Sequence, residues 1–226
     1  MPPSTIDASL PAPIRPFFPA DDATTSESPA TKTIISTLGL QEHIEGGYFV
    51  ETDRDSWRIP NPFLPASSSS TTDSTRNAST TIYYFLTPTS PQGAFHRNKG
   101  RTVHTLHSGR GRYVLIHADE VSDGIDAEGT EKWKGKARVE TFIVGHDVSK
   151  GERLQWIVDG GKYKASFLLP DEDDDGTDAT TSKGLLISET VVPGFEFTDH
   201  DFMPAARLHD LVSPAQAEEL LWLIRK

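Results

Sequence analysis

"TVHTLHSGRGRYVLIHAD", residues 102–119, decides how the chain is read. Val103 and Leu106 stand singly among polar residues from Thr102 to Ser108, and a denser apolar run follows from Tyr113 to Ile116. Alternation with period two, or a short apolar run bounded by turn residues, reads as a β-strand. Gly109 and Gly111 in "SGRGR" read as a hairpin turn between the two runs. No helix follows them, so the G-x-G is not a phosphate cradle.

The same grammar extends outward. "GGYFVETDR" (46–54), "TTIYYFLTP" (80–88), "VETFIVGHD" (139–147), "RLQWIVDGG" (153–161), "KASFLLPD" (164–171) and "GLLISETVVPGFEF" (184–197) all read as strands, punctuated by Gly, Pro and Asp. Ile34, Ile35, Leu38 and Leu40 predict a short amphipathic helix ending near Gly39. At the other end Ser213 is an N-cap, Pro214 sits in the first turn, and Leu220, Leu221, Leu223 and Ile224 supply an apolar face. Short strands between two terminal helices predict an all-β sandwich or barrel. Closing such a sheet lines an interior with every second residue of each strand.

Residues 1–30 are rich in Pro, Ser and Thr and are expected to form a disordered tail, leaving 31–226 as one domain. Residues 65–79 and the acidic run at 171–178 read as polar loops. The 226-residue chain has no cysteine, which removes disulfides and thiolate chemistry and favours an intracellular, cytoplasmic protein. Its formal net charge of -11 argues against nucleic acid or an anionic membrane as partner. No stretch approaches the ~20 apolar residues of a membrane span, and the N-terminus lacks the pattern of a secretory signal.

"EGGYFVETDR" (45–54), "TTIYYFLTP" (80–88), "GAFHR" (93–97), "KGERLQWIVDGG" (150–161) and "TVVPGFEF" (190–197) occur in this order. Together they resemble cupin family 5, small cupins long classed as a domain of unknown function, from about Thr33 to the C-terminus. The resemblance implies a double-stranded β-helix, a jelly-roll barrel with short flanking helices. Members of the fold commonly dimerise, so a homodimer is expected. In metal-binding cupins one motif supplies two histidines and a glutamate before a glycine, and a second motif supplies another histidine. Aligned on Gly109 and Gly161, those positions hold His96, Asn98, Thr102 and Lys164. Thr is a poor ligand and a protonated lysine repels a cation, so no metal cofactor is expected.

With position 102 facing the interior, alternation sends His104 and Leu106 inward and Val103, Thr105 and His107 outward. His96, His104 and Glu189 are then the candidate catalytic residues: two imidazoles able to shuttle protons, and an acid that would need a partner inside a barrel. Tyr48, Glu51, Arg97, Thr102, Lys164, Trp156 and Tyr163 are candidate substrate-binding residues. Lys164 or Arg97 would meet an anionic group, and the aromatics a flat ligand. Three functions stay open: a metal-independent isomerase, epimerase, dehydratase or cyclase, a non-catalytic binder of a small molecule, and a metal enzyme built on His96, His104 and Glu189.

Overall fold

The computed structural model describes residues 3–18, 26–64, 74–126, 129–171 and 181–225. In chain order the strands are β1 (Gln41–Glu42), β2 (Tyr48–Arg54), β3 (Arg58–Pro60), β4 (Thr75–Asn77), β5 (Thr80–Leu86), β6 (Gln92–Arg97), β7 (Arg101–Ser108) and β8 (Gly111–Ile116). They continue as β9 (Ser122–Ile125), β10 (Glu131–Trp133), β11 (Val139–Val144), β12 (Gln155–Val158), β13 (Tyr163–Leu168), β14 (Leu185–Val192) and β15 (Asp201–Phe202). Helix α1 (Pro29–Leu38) precedes them, and α2 (Ala205–Leu211) and α3 (Pro214–Leu220) follow. Every run read as a strand is one. The expected helices form as well, α1 closed by Gly39 at φ 67° and α3 opened by a Ser213 capping box with Gln216.

Two antiparallel sheets make the jelly roll. One has the order β1-β2-β5-β14-β7-β12 and the other β11-β8-β13-β6-β15. Between them lie Tyr84, Leu106, Tyr113, Leu115, Phe142, Trp156, Leu168 and Ile187. A second core fills the outer face of the five-stranded sheet. There Phe95, Val114, Ile116, Tyr163 and Phe167 pack on Leu208, Leu211, Leu220 and Leu223 of the C-terminal helices. A sheet covered on both faces needs apolar residues at nearly every position. Accordingly β8 ends in the apolar run Tyr113–Ile116 and β13 is buried at every position, whereas β7, covered on one face, alternates in burial.

The hairpin reading of "SGRGR" does not hold. β7 pairs with β12 and β14, whereas β8 pairs with β11 and β13, so the turn carries the chain from one sheet to the other. Gly109 has φ 81°, and a Cβ there would stand 2.0 Å from the Gly184 carbonyl oxygen. Only glycine fits such a crossing.

The N-terminal segment also departs from expectation. Residues 3–18 lie against the domain, with Ser4 and Ile14 buried. Glu219 holds them: Ser4 Oγ (2.7 Å) and the Ile14 amide (2.6 Å) donate to its Oε1, and the Thr5 amide (2.8 Å) and hydroxyl (2.6 Å) to its Oε2. Composition alone hides this, because one carboxylate satisfies several donors of a polar segment at once. Of the expected loops, 74–79 includes β4, which pairs with β3, while 65–73 and 172–178 fall outside the described residues. No helix among the described residues is long and apolar enough to cross a membrane. Replacing Glu219 with Ala is expected to cost about 2–4 kcal/mol, since bonds to a charged acceptor contribute more than neutral ones. Limited proteolysis should then cut within 3–18 well before the barrel, and unchanged protection there would contradict the assignment.

Candidate functional site

Strand alternation decides which side chains reach the interior. On β7 Thr102, His104 and Leu106 are buried and His107 is exposed, as the register requires. On β14 Glu189 points inward with Ile187 and Val191. On β13 Lys164 faces the barrel, so its neighbour Tyr163 faces the helical side.

Lys164, His104 and Glu189 meet between the sheets. The Lys164 ammonium donates to Glu189 Oε2 at 2.5 Å and to His104 Nε2 at 2.9 Å, and His104 Nε2 lies 3.3 Å from the same Glu189 oxygen. His104 is fully buried and stacks on Trp156 with ring centroids 5.1 Å apart. Burial pushes the Glu189 carboxyl up, but Lys164 and then His104 outweigh it and hold it well below the ordinary carboxylate range. Burial, reinforced by Lys164, pushes His104 down, so the imidazole is neutral.

A second cluster gathers around Glu45. The glycines after it make the turn that aims it. Gly46 has φ 102°, a Cβ there would strike the Gln92 carbonyl oxygen at 2.1 Å, and the Glu45 carbonyl accepts from the Ala94 amide at 2.7 Å. Glu45 Oε1 lies 2.8 Å from His200 Nε2 and 3.3 Å from His96 Nε2, and Oε2 lies 3.6 Å from His43 Nδ1. The His96 and His200 rings stack at 5.1 Å because β15, just after His200, pairs with β6. Burial raises the Glu45 carboxyl, but His96, the hydrogen bond from His200, His43 and Lys164 more than offset it and hold it at about 2. Burial lowers His96 to about 4, against the opposing pull of Glu45.

Both clusters border one cavity of about 90 Å³. Glu45, His96, Asn98 and Glu189 supply polar wall; Phe49, Ile82, Val191, Phe195 and Phe197 supply apolar wall; Glu51 and Arg54 are ion-paired at 2.8 Å at its rim. At roughly 30 Å³ of liquid per water, the space holds a few waters or the reacting end of a ligand.

Of the sequence candidates, His96, Glu189 and Glu51 line this cavity. Lys164, His104 and Trp156 stand behind Glu189, and Thr102 is buried two residues before His104. The remaining three fall outside it. Arg97 follows inward-facing His96 and therefore faces away, bonded to Glu131 (2.6 Å) and Asp201 (3.0 Å) over the ring of Tyr163. Tyr163 donates to Asp201 at 2.8 Å. Tyr48 precedes cavity-lining Phe49 and faces the opposite side. Glu45, His43 and His200 escaped the sequence reading as site residues. The glycine pair after Glu45 was the available signal, whereas His200 becomes visible only through the pairing of β15.

The four positions that hold metal in metal-binding cupins do not fit that role here. The ammonium of Lys164 is bonded to Glu189 and His104, Thr102 offers a neutral hydroxyl, and of the four only His96 retains an imidazole. The expectation of no metal does not follow from this, because Glu45, His96 and His200 place one ligand atom each within 4.8 Å of one another.

A family model described as Cupin superfamily (DUF985) matches residues 32–203. The chain is 44% identical over 193 residues to an uncharacterised protein of Saccharomyces cerevisiae, YML079W, covering 84% of each. A hypothetical protein from Leishmania major has a solved structure similar to this one, with TM-score 0.63 and 27% identity, over 86% of this chain and 98% of that one. The structure of protein SO0799 from Shewanella oneidensis is similar in fold, with TM-score 0.57 and 21% identity, over 89% of this chain and 99% of that one.

Neutral His104 has a consequence for acid stability. Its folded pKa lies below the ordinary 6.5, so between the two values the unfolded chain binds more protons. Its contribution to stability is complete above about pH 6.5 and declines as pH falls below that. Chemical denaturation across pH 7 to 5 should show His104→Asn flattening this decline by up to about 1.4 kcal/mol per pH unit. Parallel curves for the two proteins would mean that His104 is not held neutral.

Proposed function

The chain belongs to the Cupin superfamily (DUF985) family, and within that fold we propose that it binds a small, neutral hydroxycarbonyl metabolite and moves a proton on it, as an isomerase or epimerase does. The observation that carries this reading is the approach of two ionised clusters, Glu45–His96–His200 and Glu189–Lys164–His104, to one partly apolar cavity.

Each part has a role. Glu189 presents a carboxylate oxygen to the cavity and accepts a proton from carbon next to a carbonyl. Lys164, hydrogen-bonded to Glu189 and His104, supplies the positive charge that offsets what develops on the substrate. Glu45, oriented by His200, and His96 hold the substrate's oxygen atoms. Phe49, Phe195 and Phe197 offer apolar faces to its carbon skeleton. An anionic substrate is disfavoured: the interior holds two carboxylates, Lys164 is already paired, and Arg97 is engaged elsewhere. A second reading, binding without turnover, draws support from the depressed pKa of Glu189, which makes it a weak base.

The two readings separate in heavy water. Aldoses, ketoses and α-hydroxyketones are incubated with the protein in D2O and followed by proton NMR. A turned-over compound gains deuterium next to its carbonyl, and Glu189→Gln slows this about 100-fold or more, in the range typical for a lost acid–base group. If compounds that raise the melting temperature never gain deuterium, the protein is a binder and not an isomerase.

A further inference from the structure

We propose that Glu45, His96 and His200 form a binding site for one first-row divalent cation, Zn2+ or Fe2+ in character, sharing only His96 with the ligand set of metal-binding cupins. The inference concerns the wall opposite Glu189 and stands whether or not Glu189 moves a proton.

The first argument is the hydrogen-bonding of His96. Its Nδ1 lies 2.9 Å from the Ala94 carbonyl oxygen, which can only accept, so Nδ1 carries the hydrogen. Nε2 then presents a bare lone pair at 3.3 Å from Glu45 Oε1. When the ring is neutral, two electron-rich atoms face one another inside the protein. A cation turns that repulsion into attraction at both atoms. A histidine whose other ring nitrogen donates to a backbone carbonyl is also the usual arrangement of a metal ligand, since it fixes tautomer and ring orientation.

Distances agree. Zinc holds nitrogen and carboxylate oxygen at about 2.0–2.2 Å, so two ligands at a tetrahedral angle stand roughly 3.4 Å apart. The His96–Glu45 separation is 3.3 Å and the His200–Glu45 separation is 2.8 Å, so the second pair needs to open by only a fraction of an ångström. Two imidazoles and one carboxylate suit zinc or iron. Magnesium and calcium prefer all-oxygen shells.

Charge and an orphaned atom point the same way. Lys164 neutralises Glu189, and among the described residues the Glu45 carboxylate has only the imidazoles of His200, His96 and His43 within 4 Å as ion-pair partners. Among the described residues Asn98 Oδ1 is buried without a hydrogen-bond partner, and Asn98 lines the same cavity. It is an acceptor for a water bound to the cation. Phe195, Phe197 and Val191 form the apolar part of the wall, and the cavity leaves the cation an open face.

The test is direct binding. The full chain, freed of metal with a chelator, is titrated with Zn2+ by calorimetry and with Co2+ by visible absorption, with Mg2+ as the contrasting ion. One Zn2+ or Co2+ per chain is expected, with an absorption pattern of low coordination number for cobalt and no binding of Mg2+. Glu45→Gln and His200→Ala should each weaken Co2+ binding by 100-fold or more. His107→Ala, on the outer face of β7, should leave it unchanged. His200→Asn, which stays polar and small, guards against a variant that fails to fold, and circular dichroism checks each one. No binding below millimolar Zn2+, or tight binding indifferent to Glu45→Gln and His200→Asn, overturns the proposal. Stoichiometric binding with no deuterium exchange would leave the metal site standing and remove the isomerase reading. Exchange without binding would do the reverse.

Discussion

A lysine ammonium buried inside a protein has to be neutralised where it stands, and much of this barrel is arranged around that demand. Lys164 comes from the five-stranded sheet, while Glu189 and His104 come from the six-stranded one. Their bonds therefore join the two layers across the interior. Removing one member of a buried pair typically costs about 3–5 kcal/mol, because the other is left charged and unpaired. Unlike the apolar contacts around it, the pair is also directional, and it ties β13 to β7 and β14 in one register.

The same three residues explain how this chain differs from a metal-binding cupin. Where such a protein holds an ion, this one holds a cation on a covalent stem, and an acid on β14 balances it. The centre of polarity is thus displaced toward Glu189 on one side and toward Glu45 on the other. His96 alone is shared between the old arrangement and the new. Its company changes from ligands on its own sheet motif to a carboxylate from the turn before β2 and an imidazole just ahead of β15.

Much of this was legible in the sequence, and the limits have physical reasons. Period-two patterning exposed the strands and set Thr102, His104 and Leu106 inward, because side-chain direction is a local property of an extended backbone. Sheet membership is not local, so "SGRGR" looked like a hairpin although its strands belong to different sheets. Alternation also had to be applied to pairs of neighbours. His96 inward implies Arg97 outward, and Lys164 inward implies Tyr163 outward, yet Arg97 and Tyr163 were both read as cavity residues. In β2 the register shifts between Glu51 and Asp53, so that Arg54 joins Phe49 and Glu51 around the cavity. Glu45 and His200 lie on irregular segments flanking strands, where no period announces the direction of a side chain.

The anchoring of the N-terminal segment bears on how the chain is made. Ser4, Thr5 and Ile14 find their acceptor in Glu219, more than two hundred residues later. During synthesis that acceptor leaves the ribosome long after the residues it will hold. The barrel strands can already be pairing while the opening segment still lacks the carboxylate that will fix it. Residues 4–14 are thus seated only once the strands between them and Glu219 have been made.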